Sequence, residues 1–264
     1  MNGRKFFGIV MCSLGGIFLL LCIARIIMFL VQPNLDFTGT SATTESSETE
    51  KTKKTQSSSE TSSEGYVCPV DFETLQSYNP DIYAWIRVSG TDIDYAVVQS
   101  PDDDTYYMNH NSDLKLSSSG ALFTEHEYNN TEFSDQVTVI YGHQMVNGSM
   151  FGNLQLAFSN EGFFNTNPVI DIYMPDKCLK FQVFAAVPYS NEHILYYNDF
   201  SKQKNYNKFL KNIKDINDND ARINEDLFPE DKEQLIILST CLSKNRYERY
   251  IVIGKLIYDS SVDG

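Results

Sequence analysis

The chain has no Cys-x-x-Cys pair and no His-Glu-x-x-His segment, and its five cysteines and four histidines are scattered over 264 residues. A zinc ribbon or thioredoxin-like site needs the first spacing and a metalloprotease needs the second, so neither chemistry is supported. His110, His126, His143 and His193 offer no ligand-like interval. Glu125 and Glu127 flank His126, but neighbours on a strand alternate faces and cannot converge on one ion. Asp215, Asp218 and Asp220 lack the glycine and terminal glutamate of an EF-hand and read as a solvated loop. No metal and no cofactor is expected. Positive charge is also short: 21 Lys and Arg face 35 Asp and Glu, a formal net charge of −14. Phosphate binding requires clustered cations, so no nucleic-acid partner is expected either.

Long hydrophobic runs are absent except at the N-terminus. Residues 6–31 are almost wholly apolar, with Arg4 and Lys5 before them and Arg25 near the far end. A helix needs roughly 20 such residues to cross the hydrocarbon core. No small-x-small site precedes Pro33, which favours an uncleaved signal-anchor over a removed signal peptide. The positive-inside rule then leaves residues 1–5 in the cytoplasm and everything after the anchor outside, a single-pass arrangement in the cell membrane. Residues 32–65 are rich in Ser, Thr and Glu, with Ala42 the one apolar side chain between 38 and 64. Such a segment cannot bury enough surface to offset its ordering entropy, so a disordered linker is expected. Residues 66–264 have no internal repeat and no second linker, and are long enough for one domain with a substantial core.

Within that domain, strands outnumber helices. Apolar runs at 84–88, 93–98, 120–124, 137–141, 169–174, 180–188, 235–240 and 249–258 give eight strand candidates separated by polar turns. This pattern implies a mainly β fold, a barrel or a sandwich. A short N-terminal helix is expected after the N-cap candidate Asp71 and before Asn79-Pro80. A second is expected over 149–158, where Met150, Phe151, Leu154 and Phe158 recur at helical spacing, and a third over 202–213.

The chemistry concentrates at strand ends. Cys241 terminates the run Leu235-Ile236-Ile237-Leu238-Ser239-Thr240 and is followed by a polar loop, whereas a structural cysteine is usually flanked by apolar residues on both sides. The thiolate is the reactive form of cysteine, and nearby cations favour it. Arg246 lies in the following loop and Arg249 opens the next strand; Arg249 is favoured because sheet pairing gives it a rigid mount. His143 also stands at a strand end, after Val137-Thr138-Val139-Ile140-Tyr141-Gly142, where it can reach a cysteine on a neighbouring strand. Cys68 and Cys178 are the remaining thiols beyond the anchor, and their pairing is left open.

In this arrangement Leu238-Ser239-Thr240-Cys241 resembles the Leu-x-Thr-Cys signature of sortases, and Arg249 resembles that family's essential arginine. Tyr141-Gly142-His143-Gln144-Met145, followed by Gly148-Ser149-Met150-Phe151, resembles the histidine segment of class B members. Asn79-Pro80-Asp81-Ile82-Tyr83-Ala84-Trp85-Ile86, Ile93-Asp94-Tyr95-Ala96-Val97-Val98-Gln99 and Tyr107-Met108-Asn109-His110 extend the match over most of the domain. The resemblance implies a closed eight-stranded β-barrel with peripheral helices, including an N-terminal helix and one between strands 6 and 7. It implies a cysteine transpeptidase in which Cys241, His143 and Arg249 are catalytic and Ser239 and Thr240 bind substrate. Since Thr240 faces away from Cys241 along the strand, its part would be indirect or played by the backbone. The implied partners are secreted proteins bearing a C-terminal sorting motif and an amine of the peptidoglycan crossbridge. A pilus-polymerising variant would use a pilin lysine instead. An exported cysteine peptidase is the nearest rival, although papain-like enzymes place cysteine before histidine; a non-enzymatic surface module is a further alternative. Ser243 stands where some class B members carry an acidic residue, so a Cys-His-Asp triad is not supported.

Overall fold

Alternation of apolar side chains with polar or partly exposed ones sets the walls of this domain. In β1 (Ile82–Val88), Ala84, Ile86 and Val88 turn inward while Trp85 and Arg87 stay partly or fully exposed. In β5 (Val169–Tyr173), Ile170 and Ile172 are buried between partly exposed neighbours. The computed structural model describes residues 66–230, 232–242, 245 and 247–262. The expected anchor and linker, together with Ser243 and Arg246, lie outside the described residues. Among the described residues no helix is long and apolar enough to cross a membrane.

The remaining strands are β2 (Asp94–Val98), β3 (Leu122–Phe123), β4 (Val137–Tyr141), β6 (Cys178–Tyr189), β7 (Arg222–Ile223), β8 (Leu235–Cys241) and β9 (Arg249–Asp259). They pair in the order β5-β1-β2-β3-β4-β8-β9-β6, and β6 pairs back onto β5. Eight strands therefore close into a mixed barrel, parallel only at β2–β3 and β4–β8, and closure leaves none of the eight with an open edge. The two-residue β7 adds to the side of β6.

Inward residues of these strands form one core: Ile86, Val97, Ile140, Phe181, Ile236, Leu238 and Val252 among others, capped by Phe151, Leu154 and Phe158. The outward face of β4, β6, β8 and β9 is covered by a helix, α5 (Gln203–Lys214), through Tyr206, Phe209, Leu210 and Ile213. A third cluster lies under α1 (Phe72–Tyr78), whose N-cap Asp71 accepts from the Thr74 backbone N–H.

Three short helices lie between α1 and α5: α2 (Leu154–Phe158), α3 (Glu161–Phe164) and α4 (Ile194–Tyr197). The helix expected over 149–158 is thus reduced to its last turn. Gly148 at φ +83° and Met150 at φ +56° break the start, and Met150 instead bridges to Gln144. The Asn147-Gly148 pair is a turn signal that explains this outcome. The apolar spacing was meaningful, since Met150, Phe151, Leu154 and Phe158 are all buried. The acidic loop at 215–220 is less free than expected: Asp220 accepts from Gln155 through Oδ2 and from the Tyr250 hydroxyl through its carbonyl. Cys68 and Cys178 are free thiols.

Phe209 is 1 % exposed and meets Phe200 edge-on at 5.2 Å. Phe209→Ala is expected to lower stability by about 3–5 kcal/mol in urea unfolding. A loss below about 1 kcal/mol, the scale of an ordinary surface change, would show that α5 does not seal this face.

Candidate functional site

Two strand registers bring the chemistry together. β8 and β9 are antiparallel with Cys241 opposite Arg249, so the two side chains emerge on one face as a cross-strand pair. Arg249 Nη1 lies 3.7 Å from Cys241 Sγ. β4 runs parallel to β8 with Tyr141 level with Ser239, and the Gly142 N–H donates to the Ser239 carbonyl. Continuing both strands by two residues carries His143 to the level of Cys241.

His143, Cys241 and Arg249 line one cavity of about 230 Å³, with Ser239 and Thr240 in its wall. Ser239 and Thr240 are 3 % and 2 % exposed. Thr240 is level with Tyr250, which belongs to the barrel core, so its side chain turns away from the face that carries Cys241. Its Oγ1 is buried without a hydrogen-bond partner among the described residues.

The imidazole of His143 is held from outside its own strand. Nε2 sits 2.6 Å from the Met108 carbonyl oxygen, and a carbonyl can only accept, so Nε2 carries the proton and Nδ1 is left for chemistry. Met108 reaches this place through a 3-10 turn at Tyr106–Met108 packed over Gly120. A Cβ on Gly120 would stand 2.5 Å from the Tyr107 oxygen, 2.9 Å from the Met108 oxygen and 3.1 Å from His143 Cδ2. With φ at +56°, this position requires glycine twice over.

The rest of the cavity lining is acidic and aromatic. Asp104, Glu125, Tyr141, Glu192 and His193 belong to it. Asp104 is fully engaged by the His126 ring and the His126 and Glu127 backbone N–H groups. Glu125 Oε2 lies 2.9 Å from His193 Nε2. Burial pushes the Glu125 carboxyl above its ordinary range, against the opposing pull of His193 and Tyr141. Burial, then the neighbouring Glu125 charge, raise the Tyr141 phenol strongly, while Arg249 pulls it down.

All five residues singled out in the sequence therefore meet at one cavity. The Met108 carbonyl, Gly120, Glu125, Tyr141 and His193 were not singled out as site residues. Met108 and Tyr141 lie inside the family-like segments and Gly120 heads an apolar run, whereas Glu125 carries no such local signal. Among the described residues no group of three or more His, Cys, Asp or Glu side chains is placed to hold a metal ion.

Gly120→Ala is expected to cost about 1–3 kcal/mol in backbone strain and to displace His143 from Met108. An unchanged melting temperature together with full turnover would contradict the tight approach. A thiol reagent applied to the native chain should modify Cys241 and spare Cys178, which is buried and whose thiol burial pushes up. Peptide mapping that finds Cys178 modified first would reverse this ordering.

Comparison with known proteins adds identity to geometry. Residues 86–257 match the family model described as the sortase domain. Sortase B of Listeria monocytogenes is 28 % identical over 189 residues, covering 71 % of this chain and 74 % of that protein. The crystal structure of Clostridium perfringens sortase B superposes with a TM-score of 0.62 at 31 % identity, over 71 % of this chain and 100 % of that one. A Streptococcus pyogenes class B sortase, described as involved in pilus biogenesis, gives a TM-score of 0.59 at 29 % identity, over 71 % and 98 %. The closed eight-stranded barrel, the shared sequence and the placement of these relatives converge: the chain belongs to the sortase family, as a cysteine transpeptidase of class B.

Proposed function

We propose that this transpeptidase joins secreted proteins to a cell-surface amine, with Cys241, His143 and Arg249 as its catalytic residues. The observation that carries the assignment is the Arg249–Cys241 pair, 3.7 Å apart on registered strands, in a cavity shared with His143. Cys241 passes its thiol proton to His143 Nδ1, and the resulting thiolate attacks the carbonyl carbon of a peptide bond in the C-terminal sorting motif of the donor. Charge then builds on the carbonyl oxygen, where the Arg249 guanidinium stabilises it. The carbon–nitrogen bond breaks, the leaving amine takes a proton from His143 Nδ1, and the acyl group remains on sulfur as a thioester. The incoming amine gives its proton back to His143 as it attacks the thioester, forming a new amide and releasing the thiolate. Holding Nε2–H on the Met108 carbonyl confines the mobile proton to Nδ1 in both half-reactions.

The acceptor in this reading is an amine of the peptidoglycan crossbridge. The apolar run at 6–31 and the basic residues before it support a membrane anchor with the catalytic domain outside the cell, where donor and wall meet. A second reading, with a pilin lysine as acceptor, is favoured by the likeness to the Streptococcus pyogenes enzyme described as involved in pilus biogenesis.

The test is a transpeptidation assay of the full chain in detergent with a library of sorting-motif peptides and a panel of amines. Cys241→Ala should abolish the thioester, and His143→Ala should lower kcat by about 10²–10⁴-fold. Arg249→Lys, which keeps the charge but loses the planar fork, should lower it by about 10²–10³-fold. Equal turnover by wild type and Cys241→Ala would sink the mechanism. Preference for a crossbridge peptide over a lysine-bearing pilin peptide decides between the two acceptors.

A further inference from the structure

Glu125 is an ionisable group inside the cavity that the acyl-transfer steps do not use. It stands just beyond β3, on a chain that leaves the sheet after Leu122–Phe123 and enters the lining of the cavity that also holds Cys241 and Arg249. His193 meets it from the turn before α4. The His193 Nδ1 accepts the Tyr196 backbone N–H at 3.0 Å, capping that helix, so Nε2 carries the ring proton and faces the carboxylate at 2.9 Å. With Nδ1 committed to the helix cap, His193 has no lone pair left to act as a base. Its ring is further fixed by Tyr128 at 4.7 Å and Tyr141 at 6.2 Å between centroids.

Tyr141 links this wall to the reacting face. It is the last residue of β4, level with Ser239, two residues before His143. Its hydroxyl and Glu125 Oε2 are both buried, and Tyr141 and His193 are the two side chains whose hydrogen bonding favours the Glu125 carboxylate. The titratable groups around Glu125 are His193 before α4, Tyr141 on β4, Asp104 before the 3-10 turn and Tyr128, with Glu192 in the same cavity lining. Arg249 on β9 acts on Tyr141.

We propose that Glu125 is a positioning residue: its carboxylate holds the Tyr141 phenol and the His193 imidazole as the wall against which the acyl-donor peptide is seated before Cys241. The wall acts on binding of the donor, through side chains other than the thiol and the guanidinium. This inference rests on the proposed acyl transfer at Cys241, and its test is separable from that of the chemistry.

The experiment compares wild type, Glu125→Gln, Glu125→Asp and Tyr141→Phe as full chains in detergent. It uses one fluorogenic donor peptide that wild type turns over, with triglycine as the acceptor amine. Glu125→Gln keeps the shape and removes the charge; the expected result is a donor KM raised roughly 10-fold or more, the scale of one charge-assisted hydrogen bond, with kcat close to wild type. Glu125→Asp should recover part of the loss. The double variant Glu125→Gln/Tyr141→Phe should lose less than the sum of the two single variants, because the groups act as one unit. In wild type, donor KM should rise as pH falls through the elevated titration of Glu125, and Glu125→Gln should lack that acid limb. The wild-type pH profile needs no variant, so it reads the proposal even if Glu125→Gln misfolds. An unchanged KM in folded Glu125→Gln, or an acid limb that persists in it, would overturn the positioning role. If Cys241→Ala retained turnover, the chemistry itself would fall instead.

Discussion

The site depends on strand register. Parallel pairing of β4 with β8 and antiparallel pairing of β8 with β9 bring three strand ends to one level. A shift of one residue in either pairing would send Cys241 or Arg249 to the opposite face, because side chains alternate strictly along a strand. The apolar faces prevent that slip. Ile236 and Leu238 are committed to the barrel core, while Ile237 and Leu235 are committed to the layer under α5. Burial on both faces makes β8 a continuous hydrophobic run, and the same burial aligns the polar residues that end it.

His143 shows a second kind of constraint. Its position comes from β4, but its tautomer comes from a segment more than thirty residues earlier in the chain, through the Met108 carbonyl. The 3-10 turn that offers this carbonyl fits because position 120 has no side chain. A glycine thus settles which imidazole nitrogen is free.

Much of this was legible in the sequence because it is local. Apolar runs located the eight barrel strands to within a few residues, and the end of the run at Cys241 marked a thiol that the core does not enclose. What was not legible is what needs spatial proximity. Nothing near Glu125 in the chain announces His193 or Tyr141, and β7 is too short to carry a periodic signal. The helix expected over 149–158 forms only at Leu154–Phe158, because the Asn147-Gly148 turn, whose backbone preference prevails locally, overrides the apolar spacing. His193 and His143 look alike as residues near strand ends. They are separated by which nitrogen the fold engages: Nδ1 caps a helix in His193, whereas Nε2 is held by the Met108 carbonyl in His143.

The barrel wall is uneven. β6 and β9 are registered over ten residue pairs, whereas β3 joins β4 through the single pair Phe123–Tyr141 and joins β2 through two. Local unfolding follows hydrogen bonding and burial, so the free energy of opening is lowest where a wall has the fewest rungs. That thin seam borders the cavity through Phe123, Glu125 and Tyr141, while the thick side carries Arg249. The cylinder therefore has a compliant side and a stiff side: an extended peptide can press the first outward without moving the charge mounted on the second.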